Sequence, residues 1–229
     1  QGLLETMEIN YTGSDVLSSA LAMNKVVSKQ IWFQLGLKTP EYELLNDRSD
    51  WACVIERLKK VVVKPVSGGS SLGISMTSNP SELKSYYAKA LSFGSEVFAE
   101  RCIEGVEYST GVIGDEVLPT LQLETPRKFF DYEAKYIDSE TKMICPPNLN
   151  PNKLAELENL VLSAYKGLRC KGLARVDVIQ DMSGDFFLLE LNTIPGMTNH
   201  SFVPSALKAV GIDYDAMLLK ILRNEVESI

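Results

Sequence analysis

Hydrophobic and polar positions along the chain alternate between two kinds of spacing. Residues 14–36 carry apolar side chains at Leu17, Leu21, Ile31 and Leu35 and read as one helix. Ser14 or Asp15 can cap that helix, Gly36 ends it, and Pro40 lies just beyond. Residues 49–60 read as a second helix. The period then changes: Val61-Val62-Val63-Lys64-Pro65 is a β-branched run, and Leu72-Gly73-Ile74-Ser75-Met76 reads as a strand after a Gly/Ser loop. Asn79-Pro80-Ser81-Glu82 opens a helix through Leu91, and Glu96–Arg101 reads as a strand. Tyr108–Ile113 and Glu116–Leu121 read as a hairpin around Gly114-Asp115. Residues 124–148 form a long polar stretch, of a length uncommon unless it is functional or disordered. A helix over 152–168, strands over 172–180 and 185–192, and helices over 203–210 and 213–227 complete the pattern. Helices mixed with hairpins predict an α+β fold with antiparallel sheets.

The two late strands hold the strongest chemical signal. Side chains alternate faces along a strand, so Arg175 shares a face with Asp177, and Glu190 with Asn192. Val176, Val178, Leu189 and Leu191 then point to the core. A two-residue turn at Ser183-Gly184 sets Asp177 opposite Glu190 and Arg175 opposite Asn192. Carboxylates placed side by side repel, and something must compensate. Arg175 can do part of this. A divalent cation does it better, because magnesium takes carboxylate oxygens together with substrate phosphates, and Asn192 adds a carbonyl oxygen. A solvated polar face with an ion pair is the plainer alternative.

The segment Lys64-Pro65-Val66-Ser67-Gly68-Gly69-Ser70-Ser71-Leu72-Gly73 lacks the spacing of a P-loop or a dinucleotide fingerprint. Its backbone amides can close over phosphates, with Lys64 supplying charge. A Gly/Ser hairpin without a ligand is the commoner case.

Composition narrows the classes. The 229 residues are 45% hydrophobic and 23% charged, with a net charge of -7. That is ordinary globular composition and a poor match to sequence-independent nucleic-acid binding. Cys53, Cys102, Cys145 and Cys170 lie far apart and read as free thiols rather than zinc ligands. No apolar run is long enough to span a membrane. His200 is the only histidine, which leaves little material for Ser-His-Asp or Cys-His chemistry. Trp32 and Trp51 read as packing residues. The opening Gln1-Gly2-Leu3-Leu4-Glu5 reads as the middle of a longer protein.

Taken in order, several blocks resemble the ATP-grasp superfamily and, within it, the D-alanine–D-alanine ligases. They are Gly13-Ser14 with Ala22-Met23-Asn24-Lys25, Val63-Lys64-Pro65 with Gly69 to Gly73, and Phe130 to Tyr136. Gly172 to Asp177 follows, then Glu190 to Thr198 with His200-Ser201. The last block is the most specific, and the likeness covers essentially the whole chain. It implies an ATP-grasp fold of two α+β subdomains whose antiparallel sheets clamp the nucleotide. Residues 14–101 would form the central subdomain and 102–229 the catalytic one, with 1–13 the remnant of an N-terminal substrate domain.

The resemblance also implies roles. Lys25 and Lys64 match lysines on the nucleotide phosphates. Glu100, Arg101, Cys102 and Ile103 match the adenine-holding linker, with Cys102 where an aromatic residue is common. Glu107 matches the acid on the ribose. Lys135 matches a lysine for phosphate and substrate on a loop. Asp177, Glu190 and Asn192 match the ligands of two magnesium (or manganese) ions. Arg175 and the amide of Gly196 match groups that stabilise a tetrahedral intermediate, and Ser201 matches a binder of the second substrate's carboxylate. Ser70 and Tyr136 match a pair closing the loop, and Tyr136 points to D-alanine as second substrate. The implied reaction is ATP-dependent joining of two D-alanines through an acyl phosphate, for peptidoglycan synthesis, by a cytoplasmic homodimer. The alternatives are another ATP-grasp carboxylate–amine ligase, a kinase of related fold, or a nucleotide-binding fragment without turnover.

Overall fold

The computed structural model describes residues 1–69, 72–124 and 142–227, without the side chain of Glu227. Its described elements run α1 (Gly2–Thr6), α2 (Val16–Met23), α3 (Lys25–Gln34), β1 (Tyr42–Leu45), α4 (Trp51–Leu58), β2 (Val61–Pro65), β3 (Ser75–Thr77), α5 (Pro80–Leu91) and β4 (Val97–Arg101). They continue with β5 (Gly105–Ile113), β6 (Glu116–Glu124), β7 (Lys142–Ile144), α6 (Pro151–Gly167), β8 (Leu173–Asp181), β9 (Phe186–Asn192), α7 (Phe202–Ala209) and α8 (Tyr214–Glu227).

The strands make a four-stranded sheet in the order β1-β4-β2-β3 and a five-stranded sheet in the order β7-β6-β5-β8-β9. Every neighbouring pair is antiparallel. The α+β expectation holds. In the smaller sheet Val61, Val63, Val97 and Ala99 pack with Val54 and Leu58 of α4 and Leu83 and Tyr87 of α5. The larger sheet buries Val176, Val178, Leu188 and Leu191 against Leu157, Val161 and Ala164 of α6. Its other face takes α7 and α8, through Val203, Leu207, Met217 and Ile221.

Residues 14–36 correct the single-helix reading. The helix breaks at Asn24, whose backbone is extended and whose side chain accepts from the Val27 amide at 3.0 Å. Asp15, not Ser14, caps the first half, accepting from the Ser18 amide at 2.9 Å. An Asn that satisfies an orphan amide starts a helix more readily than it continues one. The break also turns the buried face. Leu17 and Leu35 are exposed, while Ser18, Ala22, Val26, Lys29 and Trp32 are buried. Ala22 and Trp32 join the core of the larger sheet, and the Trp32 indole donates to the Ala164 carbonyl at 3.1 Å.

Other boundaries move less. The strand expected at Leu72–Met76 lies at Ser75–Thr77, and β1 was not foreseen. The polar stretch 124–148 contains β7, paired to β6 through Gln122 and Ile144.

Among the described residues the chain crosses between the sheets twice, from α3 to β1 and from β4 to β5. The crossings lie side by side, with the Arg101 amide donating to the Glu41 carbonyl at 2.7 Å. Where the second enters the larger sheet, Gly105 faces Asp181 of β8. A Cβ there would stand 1.8 Å from the Gln180 carbonyl oxygen, so only glycine fits.

Candidate active site

Between the two sheets lies a cleft of 1080 Å³. Lys25, Lys64, Glu100, Arg101, Cys102, Ile103, Glu107, Asp177 and Glu190 all line it, so nine residues singled out in the sequence meet at one place. The break at Asn24 puts Lys25 in the first turn of α3. There its amide donates to the Val66 carbonyl at 3.0 Å and its ammonium to the Gly68 carbonyl at 2.7 Å. The same ammonium stands 3.6 Å from Glu190 Oε2, bridging the glycine-rich segment and β9.

The floor of the cleft holds a charged triad. Glu100 is 1% exposed. Its Oε2 lies 2.8 Å from the Lys29 ammonium, and its Oε1 contacts Lys64. Lys29 has no solvent exposure and also donates to Thr39 Oγ1 at 2.7 Å. Burial would raise the Glu100 carboxyl, but the two lysines reverse this and hold it below its ordinary range. They differ from each other. Burial dominates at Lys29 and holds it below the usual lysine value. At Lys64 the pull of Glu100 overrides burial and holds it above. Glu100 therefore lines the cleft with its carboxylate committed to lysines. Lys29 escaped the sequence reading. Its signal was a lysine one turn after Lys25 on the face that also carries Trp32.

The acidic pair is formed. Asp177 is opposite Glu190, and Arg175 opposite Asn192, which sets the Asp177 and Glu190 Cβ atoms about 4.5–5.5 Å apart. The route to that register differs from the expected one. The turn is longer than two residues. Asp181 pairs with Asp185 through a 2.9 Å backbone bond, and the Asp181 carboxylate accepts from the Ser183 and Asp185 amides. A β-bulge then restores the register, since Val178 faces Leu188 while Asp177 faces Glu190. The extra residue is Leu189. It lines the cleft, and Leu188 takes the core place expected of it. Bulges re-aim side chains in this way beside functional sites.

Arg175 grips Asp177 with both ends of its guanidinium, Nε to Oδ1 and Nη2 to Oδ2, each at 2.9 Å. Ser109 on β5 donates to the same Oδ1 at 2.7 Å. The Arg175 guanidinium also lies 5.1 Å from the centre of the Phe202 ring, which leads to the last predicted group. Ser201 precedes α7 and receives the Thr198 amide at 3.1 Å. A Cβ on Gly196 would meet Ser201 Oγ at 2.8 Å, so the Gly196 backbone and Ser201 are adjacent. Ser70, Lys135 and Tyr136 lie outside the described residues.

The donor set Asp177, Glu190 and Asn192 suits a hard cation. All three offer oxygen, and the buried Asn192 Nδ2 has no hydrogen-bond partner among the described residues. Turning that amide over would put its carbonyl oxygen there instead. Two carboxylates and an amide are too few for a closed all-protein cage. They match magnesium that keeps waters and binds substrate phosphates.

Comparison with known proteins places the chain. Residues 31–223 match the family model for the D-ala D-ala ligase C-terminus. The chain belongs to the D-alanine–D-alanine ligase family. It is 44% identical to the D-alanine–D-alanine ligase of Saccharophagus degradans over 97% of its own length and 71% of the relative's. It is 45% identical to that of Chromohalobacter salexigens, with the same coverage. Among solved structures, the ATP complex of the D-alanine–D-alanine ligase from Bacillus anthracis superposes with a TM-score of 0.86 at 30% identity, covering 100% of this chain and 74% of that one. The VanG D-Ala:D-Ser ligase from Enterococcus faecalis gives 0.85 at 30% identity, covering 98% and 67%. The ATP-grasp fold expected for the family is the one described above, with the cleft between its two sheets.

Proposed function

We propose that the chain carries the ATP-binding and catalytic part of a ligase that joins two D-alanines, with ATP in the cleft between the sheets. The observation that carries this reading is the convergence of Lys25, Lys64, Asp177 and Glu190 on one cleft. The division at 101/102 belongs to it, since the chain leaves the smaller sheet at Arg101 and enters the larger at Gly105.

In this reading the carboxylate of one D-alanine attacks the γ-phosphate, giving an acyl phosphate and ADP. The amine of the second attacks the acyl carbon, and phosphate leaves. Lys25 and Lys64 hold the phosphates, and the linker Arg101–Ile103 lies along the base. Bound magnesium would neutralise the phosphoryl oxygens during transfer, held by Asp177, Glu190 and Asn192. Arg175 is kept in place by Asp177 and by the Phe202 ring, and with the Gly196 amide it faces the oxyanion of the second step. Removing one such donor typically costs roughly 10²–10³ in rate. Ser201, beside Gly196, holds the second carboxylate. Lys135 assists on phosphate and substrate, and Ser70 with Tyr136 closes the site. Peptidoglycan synthesis, a cytoplasmic setting and a homodimer complete the reading. No helix among the described residues is long and apolar enough to cross a membrane.

The test is ADP release from magnesium-ATP with D-alanine, against L-alanine, D-serine and D-lactate, on the chain and on Asp177→Asn. Release that needs D-alanine and vanishes in the variant supports the ligase. A preference for D-serine moves the chain toward the VanG type. Binding of magnesium-ATP without turnover reduces the reading to a nucleotide-binding unit.

A further inference from the structure

Lys29 does not line the cleft, and the resemblance assigns it no role. Yet it sits at the junction of both sheets. It comes from α3, packs beside the larger sheet, and pairs with Glu100 on β4 of the smaller one. Through Thr39, whose hydroxyl donates to the Leu188 carbonyl at 2.9 Å, it is tied to β9 as well.

The charge count is unusual. Two ammonium groups share one carboxylate, and the solvent exposures of the Lys29 and Glu100 side chains are 0% and 2%. Stability alone does not call for this arrangement. Buried ion pairs are often no better than apolar replacements, and here the second ammonium is balanced from further off, by Glu190, which acts on both lysines, and by Glu107, which acts on Lys64. Lys64, at 13% side-chain exposure, is the member that reaches the cleft. Without Lys29, Lys64 and Glu100 would cancel, and the floor of the cleft would be a neutral pair.

We propose that Lys29 is a positioning residue for phosphate binding: it occupies one oxygen of Glu100, keeps the triad at a net charge of +1, and so leaves the charge of Lys64 available to the phosphates of a nucleotide. The inference rests on the nucleotide reading of the cleft given above. Glu100 then acts as a fixed clamp for two lysines, and Lys29 supplies charge without contacting the ligand. At the effective dielectric of such sites, one unit charge several ångströms from a polyphosphate changes affinity by roughly tenfold or more.

The test measures binding of ATP, ADP and adenosine by calorimetry, with magnesium held constant, to the wild-type chain, Lys29→Gln, Lys29→Met and the double variant Lys29→Met/Glu100→Gln. Lys29→Gln keeps hydrogen-bonding capacity toward Glu100 and Thr39, so it serves if the methionine variant does not fold. Either single change is expected to weaken ATP by roughly tenfold or more, ADP less, and adenosine hardly at all. The double variant removes both buried partners and leaves Lys64 with its charge; its ratio of ATP to adenosine affinity is expected to recover most of the way to wild type, since any loss of Glu100 at the base falls on both ligands alike. Unchanged ATP affinity in the single variants would overturn the proposal. So would an equal loss for adenosine, which marks a collapsed cleft, or a double variant whose ratio of ATP to adenosine affinity stays as low as in the singles. A wild-type chain that binds adenosine and ATP alike refutes a phosphate site here and with it this role. One that binds neither sinks the nucleotide reading itself.

Discussion

Ser109 donates a 2.7 Å hydrogen bond to Oδ1 of Asp177 from the neighbouring strand, where the two residues are direct cross-strand partners. With the Arg175 guanidinium on both oxygens, this fixes the carboxylate plane before any ligand arrives. In the metal-holding role proposed for Asp177, groups that orient such a side chain typically contribute about 10–100-fold to metal affinity. Ser109→Ala is therefore expected to weaken manganese binding, followed by electron paramagnetic resonance, by roughly tenfold. Stability should fall by about 0.5–1.5 kcal/mol. Manganese affinity equal to wild type would remove Ser109 from the site.

Much of this site was legible in the sequence, and what was missed has physical reasons. Asp177 and Glu190 could be paired because side chains alternate along β8 and both strands are strongly apolar on one face. The register came out right although both the turn and the ladder were misread. A longer turn at Asp181–Asp185 shifts the pairing one way and the bulge at Leu189 shifts it back, and neither leaves a mark on composition. Lys29 and Ser109 were missed for a different reason. Each acts through a residue distant in sequence, Glu100 or Asp177, and no local pattern announces such a partner. The helix over 14–36 failed at Asn24 because a spacing argument sees apolar residues but not a polar cap between them.

The bulge can be tested directly. Deleting Leu189 would leave Val178 opposite Leu188 and Asp177 opposite Glu190 in an unbroken ladder, with Glu190 still on the cleft face. The variant is expected to fold and to bind manganese near wild-type strength. Nucleotide affinity should fall by about tenfold, since an apolar wall of the cleft is lost, a side chain worth roughly 1.5–3 kcal/mol when buried. Loss of manganese binding instead would mean that the bulge, and not the pairing, sets the carboxylates.

Gly105 should be intolerant of any side chain. Gly105→Ala forces its Cβ against the Gln180 carbonyl, 1.8 Å away on the present backbone, so the start of β5 must leave the ladder. Overpacking of this kind typically costs about 1–3 kcal/mol. The melting temperature should drop, and proteolysis should concentrate at Cys102–Glu104. A variant as stable and protease-resistant as wild type would show that the strand can shift without loss.

Acid should act through Glu100. Its carboxyl is held below its ordinary value of 4.5, with burial opposing and Lys29 and Lys64 prevailing. A depressed carboxyl contributes stability that is complete above the unfolded value and is lost as pH falls through the folded one. Thermal stability should therefore decline as pH drops below about 4.5. In Glu100→Gln that decline should be shallower, starting from a lower neutral-pH stability, because a buried lysine left without its partner costs about 3–5 kcal/mol. Parallel acid limbs in the two proteins would show that Glu100 does not govern this range.

The two crossings between the sheets, joined by the bond from Arg101 to Glu41, are the covalent ties between them among the described residues. Noncovalent ties reinforce the same junction: Lys29 pairs with Glu100, and the Lys25 amide donates to the Val66 carbonyl. The charged triad is thus built into the seam where the chain itself joins the sheets, so loosening that seam would disturb the cleft floor along with it.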